Sequence, residues 1–112
     1  MLDWDRIREL RTEVGDDEFA LILELFLDEV EGVIMRLSKG HPAQLATDLH
    51  FLKGCAWNLG FRGFGVLCDE GERIALTGKV ARLNLDEVMQ CYSSSKQMMI
   101  GALETEGALR RA

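Results

Sequence analysis

The chain is poor in the features that mark strands, disulfide frameworks and membrane spans. One proline, Pro42, occurs in 112 residues, and β-branched residues do not alternate. No apolar run approaches the ~18 residues of a membrane-spanning helix. Three cysteines with no C-x-x-C pair predict small hydrophobes in helices, not disulfides or a zinc ribbon. The start of the chain lacks the basic stretch and apolar run of a signal peptide, so we expect a cytoplasmic protein.

Positive charge is also scarce. Thirteen Lys and Arg stand against nineteen Asp and Glu, a formal charge of −6, which argues against a nucleic-acid partner. The sequence has no G-x-x-x-x-G-K-[ST] phosphate loop, so we expect no kinase activity of its own. A chain of 112 residues predicts one domain spanning residues 1–112.

What the sequence does contain is helical periodicity throughout. Short connections between long amphipathic segments predict an all-α fold, an antiparallel four-helix bundle with a short additional N-terminal helix. Pro42 suits the first position of the third helix, and Asn84 suits the N-cap of the last. Gly63, Gly65 and Gly71 should weaken the fourth helix, each by up to ~1 kcal/mol. The first predicted helix covers about residues 3–13, and the second follows the stop and cap signal at Gly15-Asp16-Asp17 and ends near Ser38. The other three cover about residues 42–59, 64–77 and 85–109.

The third helix carries the most informative residue, His50. At about 100° per residue, an apolar stripe at steps of four and three residues must face the core, and His50 falls almost opposite it. A core histidine satisfied by backbone partners is the usual alternative, and this phase argues against it. The stripe comprises Leu45, Leu49, Leu52, Ala56 and Leu59.

Residues within one turn of His50 favour a site over an accidental surface histidine. Gly54 lies on the same face, where a missing Cβ leaves room for a large group beside the imidazole. Lys53 can turn its ammonium toward the same point, which suits an anion carried by the ring. Small and apolar side chains around them predict a docking surface. This docking surface comprises Ala46, Thr47, Phe51, Trp57, Asn58 and Phe61.

The segment LHFLKGCAWNLG, from Leu49 to Gly60, closely resembles the signature H-x-[LI]-K-G-x-[AS]-x-x-[LIV]-G of histidine-containing phosphotransfer domains. The five-helix layout extends this resemblance over nearly the whole chain. The resemblance implies a phosphorelay intermediate. In that role His50 accepts a phosphoryl group from a receiver-domain aspartate or a histidine kinase and passes it to a receiver aspartate. It also implies that Lys53 is the cation near the phosphoryl oxygens and that Gly54 keeps the space open.

The resemblance further implies which parts the partners supply. The receiver domain is expected to bring Mg²⁺, its own lysine and the acceptor carboxylate, so the chain needs no cofactor or metal of its own. We therefore expect a phosphocarrier and not an enzyme. A monomer that acts as a free-standing carrier is the default expectation.

Glu72 and His41 are the two remaining residues of interest. Family members often carry a glutamine on the following helix, bonded to the imidazole, and Glu72 falls near that position. A carboxylate there could hold the Nδ1 proton and leave Nε2 free to attack, although it would also repel an incoming phosphoryl group. A solvated acidic residue is the other interpretation of Glu72. We interpret His41, just before Pro42, as a loop or cap residue.

Other functions fit the sequence less well. A di-iron carboxylate bundle needs paired Glu-x-x-His, but Ser38 and Thr47 stand three residues before the two histidines. A binding-only helical module would keep the exposed aromatic residues and discard the chemistry. A phosphorylated domain could also draw phosphate away from a receiver without belonging to an obligatory relay.

Overall fold

The computed structural model describes residues 1–37 and 42–105. Over these ranges the chain is all-helical, which confirms the predicted fold class. The elements are α1 (Trp4–Val14), α2 (Asp16–Leu37), α3 (Pro42–Leu59), α4 (Arg62–Leu76), a 3-10 turn (Val80–Arg82) and α5 (Leu85–Thr105). The sequence did not predict the 3-10 turn. The interpretation of His41 and the predicted last turns of α5 lie outside the described residues.

Cross-helix contacts show that α3 and α4 run antiparallel. Lys53 contacts Asp69, and Trp57, one turn further along α3, packs on Gly65, one turn earlier along α4. The residue number thus falls along α4 as it rises along α3. This register brings the face of α4 that carries Glu72 alongside His50.

The glycines of α4 allow the two helices to approach closely. A Cβ added at Gly65 would lie 3.0 Å from the ring of Trp57, and one at Gly71 would lie 3.2 Å from Leu49. Both positions are buried. The weak intrinsic helix propensity that the sequence predicts for α4 is therefore offset by close packing against α3.

Gly60 makes the turn between α3 and α4. Its φ of 81° is a conformation that other residues rarely adopt, and an added Cβ would lie 2.8 Å from Ile7. Its carbonyl accepts a 2.7 Å hydrogen bond from the Asp3 amide, which ties the start of the chain to the turn. The predicted end of α3 at Leu59 is confirmed, whereas α4 begins at Arg62 and not at Phe64.

One face of every long helix contributes to a single apolar core. On α2 the buried side chains recur at helical spacing, whereas Ile22 and Ile34 are only partly buried. Asn84 caps α5 as predicted, since its Oδ1 accepts a 3.0 Å hydrogen bond from the Glu87 amide. In the described part of the chain, each helix is too short or too polar to cross a membrane.

Candidate functional site

His50 lies on the outer face of α3. Its side chain is 68% exposed, whereas Leu49 and Leu52 on the opposite face are fully buried. The predicted phase of the helix is thus confirmed, and the imidazole is open to a partner. Because the opposite face of α3 is packed in the core, the backbone at His50 is held in a fixed position.

Glu72 of α4 holds one nitrogen of this ring. Its Oε2 lies 2.9 Å from Nδ1 of His50, and its side chain is only 15% exposed. A hydrogen bond from Lys53 is the main cause that keeps the pKa of Glu72 below its usual range, and His50 adds to the effect. Glu72 is therefore ionised at neutral pH and accepts a proton from Nδ1. In the neutral ring this leaves the lone pair on Nε2, away from the carboxylate.

Lys53 occupies the other oxygen of the same carboxylate. Its Nζ lies 2.7 Å from Oε1 of Glu72 and 3.3 Å from Oδ1 of Asp69. The hydrogen bond to Glu72 is the main reason why the pKa of Lys53 is raised, so the ammonium stays protonated. One carboxylate thus fixes both the imidazole and the cation beside it.

Two residues that the sequence analysis did not assign to the site complete the cluster. Asp69 accepts from Lys53 through one oxygen and pairs with Arg73 through the other. Positive and negative groups therefore alternate along the cluster, and its two carboxylates balance its two permanent cations. The signal was present in the sequence, because Asp69 lies three residues before Glu72 on one helix face.

Gly54 leaves open space beside the ring. A Cβ added there would meet no atom within 4 Å, and the residue is exposed. Unlike Gly65 and Gly71, it serves no packing contact among the described residues. Packing within the described part of the chain therefore does not explain why a glycine occupies position 54.

The predicted docking surface is only partly available. Phe51 is 40% exposed and Trp57 is 43% exposed, although one side of the Trp57 ring packs on Gly65 of α4. Thr47 is exposed and Ala46 is half-buried. These residues share the outer side of α3 with His50, and their role in binding stays a prediction.

The assignment of Phe61 to the docking surface is wrong. Phe61 is fully buried, with its ring centroid 5.0 Å from that of Phe26 and 6.3 Å from that of Tyr92. The helical phase that places Phe61 beside His50 applies only if α3 continues, and Gly60 ends it. The chain then turns inward, so the ring enters the core.

Asn58 is exposed but already has a partner. Its side-chain oxygen accepts a 3.2 Å hydrogen bond from Arg6 of α1, and its carbonyl accepts another at 3.0 Å. Arg6 therefore anchors α1 to the end of α3. A partner that uses Asn58 must accommodate or replace this contact.

Comparisons of the chain with protein-family models, with curated proteins and with solved structures found no match. Within residues 1–37 and 42–105, no three His, Cys, Asp or Glu side chains are placed to hold a metal ion. The site consists of an exposed imidazole, a half-buried carboxylate and an ammonium.

Proposed function

We propose that the protein is a phosphorelay intermediate that carries a phosphoryl group on Nε2 of His50. The group comes from a receiver-domain aspartate or a histidine kinase and goes to a receiver aspartate. The observation that carries the proposal is the contact between Glu72 and Nδ1, because it directs the free lone pair of an exposed imidazole toward solvent. The match to the phosphotransfer signature on α3 gives independent support.

The transfer step requires no cofactor on this chain. Nε2 attacks the phosphorus of the aspartyl phosphate, the P–N bond forms, the P–O bond breaks, and the aspartate carboxylate leaves. Nδ1 keeps its proton, so the ring becomes an imidazolium while phosphorylated. The Glu72 carboxylate beside Nδ1 stabilises that positive charge. The reverse sequence returns the phosphoryl group to an aspartate.

Lys53 reduces the repulsion between the Glu72 carboxylate and a phosphoryl group on His50. Its ammonium lies against Glu72 and Asp69, where it offsets their repulsion of an incoming anion. The flexible stem of a lysine also allows the charge to follow the phosphoryl oxygens once they arrive. Phosphoryl transfer depends mostly on positioning and charge neutralisation, which is what this cluster supplies.

The direct test is phosphoryl transfer in solution. The protein is incubated with a receiver domain that carries radiolabelled aspartyl phosphate, and label on the protein is followed over time. We expect rapid appearance of label that is lost in acid and stable in alkali, as a phosphoramidate on histidine should be. If several receivers bind the protein but none transfers label, the binding-only module replaces this proposal.

The first prediction concerns Glu72. Glu72→Ala removes the acceptor at Nδ1 and should slow transfer about tenfold or more, in line with other residues that orient a reactive imidazole. Glu72→Gln keeps an acceptor oxygen and should stay closer to the wild-type rate. ¹⁵N NMR of the ring should show Nδ1 protonated in the wild type and a mixture of tautomers in Glu72→Ala. An unchanged tautomer and rate in Glu72→Ala would refute this role.

The second prediction concerns Gly54. Gly54→Ala should raise the free energy of unfolding by up to about 1 kcal/mol, because an alanine favours the helix and meets no neighbour. Gly54→Gln should also fold but should slow transfer by about tenfold to a hundredfold, by crowding the approach to Nε2. Gly101→Gln on α5 is the control, since Gly101 is an equally open helical position. Equal transfer rates in the two glutamine variants would show that Gly54 does not keep the site open.

A further inference from the structure

A second group of polar side chains lies where α4 ends, beyond Glu72, and shares only Arg73 with the cluster around His50. An open cavity of about 230 Å³ forms where α4 ends and the 3-10 turn begins. Among the residues that the structure describes, no carboxylate lines it. The lining residues are Arg73, Ile74, Thr77, Lys79 and Arg82.

The concentration of positive charge in this cavity runs against the composition of the chain. The formal charge of the protein is −6, so the sequence without these three cations carries −9 (−6 − 3). Within residues 1–37 and 42–105, Lys79 and Arg82 make neither an ion pair nor a side-chain hydrogen bond. Two residues that carry full positive charges therefore line the same open volume and have no partner among the described residues.

Arg73 can add a third charge to the cavity. It pairs with Asp69, but Asp69 is also held by Lys53 at 3.3 Å. If Arg73 turns toward an anion, Lys53 still contacts Asp69 and compensates part of its charge, although Lys53 also pairs with Glu72. The Thr77 hydroxyl does not offer its proton to an anion, because it already donates to the Ile74 carbonyl at 2.7 Å.

The end of α4 opposes an anion only weakly. A helix C-terminus presents about half a negative charge, which the cations partly offset. At least one full positive charge remains from Lys79 and Arg82, and Arg73 increases the excess. Guanidinium groups donate paired hydrogen bonds that match phosphate oxygens, and lysine supplies a point charge.

We propose that this cavity binds a diphosphate group. A diphosphate carries enough charge to engage all three cations, whereas a single carboxylate would leave most of them unpaired. The diphosphate could be inorganic or part of a nucleotide, and the two sources share the same chemistry. The proposal is independent of phosphorylation at His50.

The test is titration of the intact protein with sodium pyrophosphate and, separately, with ADP, at constant ionic strength and without divalent cations. Backbone amide NMR signals of residues 73–82 should shift, with a dissociation constant on the order of 1 mM. Equal affinities would assign recognition to the diphosphate alone, and tighter binding of ADP would add the nucleoside. Either result supports the site.

Four variants make the test specific. Arg82→Gln and Lys79→Gln should each weaken binding about tenfold, as expected for loss of a charged hydrogen bond. Arg62→Gln is the matched control, because Arg62 is an exposed cation at the opposite end of α4. His50→Gln should bind pyrophosphate normally, which separates this proposal from the phosphocarrier function. Shifts spread over all basic residues, or equal weakening by Arg62→Gln and Arg82→Gln, would overturn the site.

Discussion

A His50→Gln variant is expected to take up no acid-labile phosphate from a phosphorylated receiver domain. The substitution removes Nε2, which is the only nitrogen of this exposed ring that Glu72 leaves with a free lone pair. A glutamine amide nitrogen has no such lone pair to attack phosphorus. The loss should be complete, because Lys53 stays protonated and the Glu72 and Asp69 carboxylates are held in ion pairs.

The measurement needs evidence that the variant is folded. The His50 side chain is 68% exposed, so the free energy of unfolding should change by no more than about 0.5 kcal/mol. His41→Gln is the matched control and should take up label at the wild-type rate. If His50→Gln is labelled and His41→Gln is not, the phosphoacceptor has been assigned to the wrong histidine.

The orientation of His50 could be predicted from the sequence because α3 has a strong and uninterrupted period. A leucine or alanine occurs at every core-facing step from Leu45 to Leu59, so only one rotation of the helix about its axis buries all of them. The proline at the start and the glycine at the end set its limits. The burial of that stripe and the exposure of His50 agree with the structure.

Contacts between helices could not be predicted in the same way. The pairing of Lys53 with Asp69 depends on the register of α3 against α4, which the close approach at Gly65 and Gly71 sets. The periodicity of a sequence shows which face of one helix is buried, but it does not show how two helices are aligned along each other. Only the family resemblance predicts that Glu72 lies near His50, and the sequence does not predict that Asp69, one turn earlier, lies there too.

Phe61 shows where extrapolation of a period fails. Eleven residues separate it from His50, which at about 100° per residue would bring both to one face. That arithmetic holds only within a continuous helix, and the positive φ of Gly60 breaks it after Leu59. One backbone angle thus moves an aromatic ring from a predicted docking surface to the core.

A Phe61→Ala variant is accordingly expected to lose about 3–5 kcal/mol of unfolding free energy. The ring is fully buried between Phe26 and Tyr92, so its removal leaves a cavity and breaks two aromatic contacts. A domain of this size has only about 5–15 kcal/mol to lose. The variant should therefore unfold at a much lower urea concentration than the wild type and be partly unfolded at 37 °C.

Phe51→Ala is the matched control, because Phe51 is the same residue type but is 40% exposed. Its unfolding free energy should fall by less than about 1 kcal/mol. If the remaining docking surface binds a receiver domain, Phe51→Ala should weaken that binding while the protein stays folded. Phe61→Ala should instead bind normally for the fraction of molecules that is folded. The opposite pattern, a stable Phe61→Ala with impaired binding, would return Phe61 to the surface and contradict the turn at Gly60.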